Sequence, residues 1–371
     1  MEQAMRHLGS FRLFVATAAC LVVAAGVALT AASPLAAQER RDEQFYYPGR
    51  FNWRFLALYP EAARLFNAFD YGHATVYEKL LTRGPGAGPA LATEYRYLTT
   101  DLLVRPPRFA IPEEAVMPSY AKVAWRAKQM FDWAHVLHRQ IYDVYADDRI
   151  PPGEKDALIE RLTDYYLSRT DYAFTPVPKS MALMEGQGFS RVFRRTEPAF
   201  NGLIWAYHWL QVGLYEPMIA ARSAPEARHG VDAAVARFRE MVRTERYPST
   251  MPMTAAIAPE FSRRHPRAAV IFDNLHSMHD IIADVLASPA IPASRKRDEI
   301  YRQLAEFRSA DRNVMSMAEW WEMAAHMGGV AAMGGPAVGP PRPAAPESTT
   351  VAPAPADSAA SRLQPDHHHH P

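Results

Sequence analysis

Cysteine occurs once in this chain of 371 residues, as Cys20. Cys20 falls within an uncharged run near the N-terminus, so the rest of the chain has no disulfide, thiolate zinc site, iron–sulfur cluster, c-type haem attachment or cysteine nucleophile. Any metal must therefore be held by His, Asp, Glu, Met or backbone oxygen. An excess of either charge is missing too, with Lys plus Arg at 41 against Asp plus Glu at 40. Without a basic stripe, nucleic acid is excluded as a partner. The chain has no Gly-rich phosphate loop, no G-x-S-x-G and no H-E-x-x-H. No alternating strand pattern stands out, which leaves an all-α class.

Both ends differ from the middle. Arg6 and Arg12 precede an uncharged run from Leu13 to Ala32, and small residues continue to Ala37. Residues 1–37 read as an export signal cut near Ala32 or Ala37. If retained, the run is long enough to anchor the chain in a bilayer. The folded part is then expected to be periplasmic or extracellular, touching membrane only through this segment. From residue 328 to 371 the composition falls to Gly, Pro, Ala, Ser and Thr, a tail expected to be disordered, which ends in His367–His370.

What is present in abundance is a repeat. Residues 126–161 align without a gap on residues 267–302, with 15 of 36 positions identical at a shift of 141. That level of identity marks an internal duplication, and a repeat constrains the architecture before any fold is proposed. The expected form is a helical bundle of two halves, 38–168 and 169–327, related by a pseudo-two-fold axis. Periodicity predicts a helix from Trp53 to Leu81, a Pro- and Gly-rich connector over 82–117 and a repeat helix from Pro118 to about Asp147. The shared core is F-D-x-x-H-x-x-H-x-x-I-x-D-V-x-A. It sets Asp132 three residues from His135, and Asp273 three residues from His276. Side chains three apart on a helix lie one above the other, so each repeat helix presents a carboxylate beside an imidazole. His138, His279, Asp143 and Asp284 lie further round or further along as supporting groups. The helices preceding the repeats each carry a Glu, Glu78 and Glu216, on mostly apolar segments, and Asp70 aligns with His208 at a shift of 138. An ionised Glu216 inside GLIWAYHWLQVGLYEPMI needs a partner or a metal.

The order Glu78, Asp132-x-x-His135, Glu216, Asp273-x-x-His276 resembles that of ferritin-like di-iron and di-manganese carboxylate proteins, with Asp where that family usually has Glu. In that family a Glu from each of two helices and a Glu-x-x-His from each of the other two converge inside a four-helix bundle. The resemblance implies two iron or manganese ions on these six residues, with oxygen or peroxide as reactant. The pairs His135/His138 and His276/His279 offer an alternative, zinc or copper held through imidazole. Met315, Met317, Met323, His326 and Met327 would suit copper, although Met at helical spacing is more often core filler. The remaining alternative has no metal. Its Asp–His pairs close on local partners, in a non-catalytic scaffold that binds an envelope protein.

Overall fold

The computed structural model describes residues 53–338. The expected export signal and the tail from residue 339 onward lie outside them. Among the described residues every regular element is helical, and a single bridge between Lys179 and Val314 is the only β pairing.

The first half contains α1 (Arg54–Leu58), α2 (Pro60–Arg83), α3 (Gly88–Tyr97), α4 (Glu113–Val116), α5 (Pro118–Val123), α6 (Trp125–Ala146) and α7 (Pro152–Ser168). After the short α8 (Met181–Glu185), a similar series follows: α9 (Val192–Thr196), α10 (Pro198–Gly213), α11 (Tyr215–Ala220), α12 (Ala224–Thr244), α13 (Thr254–Ile257), α14 (Pro259–Arg264), α15 (Pro266–Ala287) and α16 (Ala293–Arg308). The last helices among the described residues are α17 (Met317–His326) and α18 (Gly329–Ala332). Helices α2, α10, α6 and α15 form the middle of the bundle. Helix α2 packs on both α10 and α15, α15 also packs on α6, and α7, α12 and α16 cover the outside.

Proline shapes this arrangement. The residue before proline is disfavoured in the α region, while proline itself suits the first turn of a helix. Tyr59, Met117, Glu197, Ala258 and His265 each precede a proline, and all adopt φ between −123° and −131° with ψ between 55° and 69°. The result is a corner that joins two helices end to end. The helix expected from Trp53 to Leu81 therefore breaks at Tyr59. The repeat helix expected from Pro118 to Asp147 breaks at Ala124, which takes the same corner conformation before Trp125. The stretch 82–117, expected as a connector, contains a 3-10 turn at Gly84–Gly86, then α3, then a π turn at Leu98–Leu102. Pro85 and Pro89 start these helices instead of stopping them.

The same carboxylate devices appear in both halves. Asp143 accepts the backbone N–H groups of Trp53 and Phe55 at 2.9 and 2.8 Å, and so caps α1. Asp284 accepts those of Arg191 and Phe193 at 2.7 and 2.8 Å, and so caps α9. Trp53 and Arg191 share a left-handed backbone, φ 69° and 67°. Glu78 accepts from Ser119 N and Tyr120 N at the start of α5, and Glu216 from Glu260 N and Phe261 N at the start of α14.

Two further contacts position the centre. Gly72 lies against the Tyr207 ring, where a Cβ would come within 2.6 Å of Cε2. Its missing side chain lets α2 approach α10 closely. Residues 328–338 were expected to belong to a disordered tail, yet they pack on α10. The Trp209 indole donates to Gly335 O at 2.8 Å, and Arg237 binds the carbonyls of Gly334 and Pro336. Gly334 and Gly335 have φ of 97° and 81°, which glycine adopts without strain. That backbone freedom is what lets a Gly- and Pro-rich segment fold against the aromatic face.

Candidate metal centre

Six histidines are buried where α2, α6, α10 and α15 meet: His73, His135, His138, His208, His276 and His279. Burial disfavours the imidazolium. It lowers His73 to about 4 and His276 to about 3, and it holds the other four well below their ordinary value. All six are neutral at pH 7, the state in which imidazole binds a metal.

Three of them converge. His73 Nε2 lies 3.1 Å from His208 Nε2, which lies 3.4 Å from His279 Nδ1. His73 Nδ1 sits 3.1 Å from Phe69 O, an acceptor, so the proton of this neutral ring is on Nδ1. Nε2 is then a lone pair facing His208. His208 has one proton for two ring nitrogens, and its Nδ1 is buried without a partner. A proton on Nε2 donates to the His73 lone pair but leaves Nδ1 bare, and a proton on Nδ1 leaves it without an acceptor and brings lone pairs together at Nε2. A cation amid the three nitrogens resolves the conflict at Nε2. Nitrogens ~2.0–2.1 Å from a tetrahedral ion are ~3.3 Å apart, close to the spacings found. The backbone-bound Nδ1–H of His73 is the usual orienting contact of a metal-bound imidazole.

Asp70, Glu113 and His135 form a second group, with donor atoms all within 4.8 Å of one another. Asp70 Oδ2 accepts from Arg139 at 3.1 Å, while Asp70 Oδ1, Glu113 Oε2 and His135 Nε2 are buried without hydrogen-bond partners. Burial, with like charge from neighbouring carboxylates, raises Asp70 to about 6 and Glu113 well above its usual range. Asp132 is held by Lys128, which also pairs with Glu114. Carboxyls crowded in this way either keep protons or share a cation. The two groups adjoin: Asp70 and His73 are one turn apart on α2, and the His135 and His279 rings are 5.7 Å apart. Beside His73 and His279 is a cavity of 10 Å³, room for one water-sized molecule.

The six positions of the ferritin-like pattern are not what converges. Glu78 and Glu216 are occupied as helix caps. Asp273 is satisfied by Thr254 N, Thr254 Oγ1 and the Trp320 indole at 2.8, 2.6 and 2.8 Å. Asp132 stays beside the second group but is bound to Lys128, and Asp143 and Asp284 cap α1 and α9. His135 is a member of the second group. His276 stacks on His208 with ring centroids 4.0 Å apart, and neither of its nitrogens has a partner. His138 stacks on Phe272 at 3.5 Å, and its Nδ1 meets the Tyr215 hydroxyl at 2.6 Å. Of the supporting residues, His208 and His279 take the more central places. His73 and Glu113 did not enter the sequence-derived set. Asp70 and His73 carry a visible signal, because Asp70-Tyr71-Gly72-His73 is a third D-x-x-H. Glu113 lies in a Pro-rich stretch and carries none.

No family model matches the chain, and neither a curated protein nor a solved structure matches it. The case for a function thus rests on the chemistry of these buried groups. Donors that could hold a metal ion converge in two adjacent places.

Proposed function

We propose that the protein is an exported metalloprotein whose helical core holds two neighbouring ions. His73, His208 and His279 bind the first, and Asp70, Glu113 and His135 bind the second. The observation that carries this reading is the His73–His208–His279 contact, in which nitrogens of three buried neutral imidazoles lie 3.1 and 3.4 Å apart and the lone pair of His73 Nε2 faces His208. Three imidazoles suit zinc, copper or iron, and two carboxylates with one imidazole suit iron or manganese. The three-histidine group leaves a fourth position free, as reactive metal sites do. The small cavity beside His73 and His279 supports a diatomic or water-sized reactant, in keeping with oxygen or peroxide chemistry.

The test is elemental analysis of the full-length chain purified without affinity metal, with His367–His370 replaced by alanine so that the tail contributes no ions. Two ions per chain are expected. His208→Ala should remove one of them, and Glu113→Ala the other. A folded protein with no bound metal, even after incubation with iron, manganese, zinc or copper, would overturn the reading.

A further inference from the structure

A cavity of 320 Å³ lies apart from both donor groups. It opens beside Trp53 and Phe109, two aromatic residues that are largely exposed. Its inner wall is aromatic: the Phe55 and Tyr142 rings stack at 4.7 Å, and Phe66 meets Tyr142 edge-on at 5.7 Å. Sites of this size and lining take small organic molecules, oriented by a few polar groups.

The polar groups identify the class of ligand. Gln140 lines the cavity at 6% exposure, and its Nε2 is buried with no acceptor. A buried donor left unmet is costly, and a turn of the amide toward the cavity would let a ligand oxygen meet it. Three charged residues also line the cavity. Arg139 is balanced by Asp70 and Asn67, at 3.1 and 2.9 Å. Asp143 is balanced by the two N–H groups it caps. Arg108 has only the Phe109 ring, 5.4 Å from its guanidinium carbon, and no ion pair among the described residues. The charge left over is therefore positive.

We infer that this cavity binds an amphipathic organic anion, a monocarboxylate whose aliphatic or aromatic body lies on Phe55, Phe66 and Tyr142 while its head meets Arg108 and Gln140. Phe66 is a shared wall, since its other side packs edge-on against His135 at 5.7 Å. The bound molecule therefore sits one ring away from the second donor group. The cavity needs no metal to bind its ligand, so this inference stands or falls independently of the metal reading.

Calorimetric titration of the full chain with decanoate, 2-naphthoate and decyltrimethylammonium, each below its micelle concentration, tests it. One carboxylate per chain is expected to bind, and the cation is expected not to. Arg108→Glu, an exposed change, should weaken binding at least tenfold, and Ala63→Phe should abolish it by filling the cavity. If Ala63→Phe fails to fold, Gln140→Leu replaces it, with an expected loss of tenfold or more. The inference is overturned if neither carboxylate binds saturably, if the cation binds as well as the anions, or if Arg108→Glu has no effect.

Discussion

Histidine and aspartate respond to the same burial with opposite signs. For His276, burial lowers the folded-state value from 6.5 to about 3, so its stabilising contribution is complete above 6.5 and is lost as pH falls. For Asp284, burial raises the value from 3.8 to about 6, so its contribution is complete below 3.8 and is lost as pH rises through 6. The two effects oppose each other between about pH 4 and 6. Replacing Asp284 by Asn removes one side of that balance. The stability deficit of Asp284→Asn relative to the parent should shrink by ~1–3 kcal/mol on going from pH 4 to pH 7, as measured by urea unfolding at both values. A constant deficit would mean that the carboxyl does not titrate in this window. Residue identity also sets what the sequence revealed. His135, His276 and His279 were visible because a repeat and a fixed spacing marked them, and His208 because it aligns with Asp70. Glu113 reaches the centre through a tertiary fold of the Pro-rich segment, which no local pattern encodes.

The two glutamates preceding the repeats are best understood together with the helices they cap. Glu78 and Glu216 each accept two backbone N–H groups from the first turn of a six-residue helix, α5 and α14. So short a helix has nearly all of its N–H groups unpaired within itself, and a carboxylate there also meets the positive end of the helix dipole. Glu78→Ala and Glu216→Ala are each expected to cost ~1–3 kcal/mol in unfolding free energy while leaving metal content unchanged. Loss of an ion in either variant would return these glutamates to the ligand set. The sequence showed that both were out of place on apolar helices. It did not show the reason, because their partners are backbone groups some forty residues away. The long helices were readable from periodicity, whereas the short helices α3 and α4 within 82–117 and the corners at Tyr59 and Ala124 were not.

At the scale of the whole molecule, a core with six buried histidines and several buried carboxyls lacks enough internal hydrogen bonds to satisfy them all. Native proteins leave few such groups unmet. Ions held at the two proposed sites would therefore contribute substantially to stability. Removing them with a chelator is expected to lower the thermal midpoint by roughly 5–10 °C, from the mass-action effect of a ligand well above its dissociation constant. Differential scanning calorimetry before and after chelation, with re-addition of metal, measures this, and an unchanged midpoint would count against stabilising ions. The all-α class was clear from the sequence, whereas the packing of residues 328–338 was not. Low-complexity composition usually marks a solvated tail, and nothing local announces a docking site on α10. That docking makes the length of the chain matter to its chemistry. Proteolysis back to Val338 would discard only sequence beyond the clasp on Trp209. A cut ten residues earlier would remove the carbonyl that Trp209 holds, directly beside His208, so trimming there would loosen the helix that carries one wall of the three-histidine group.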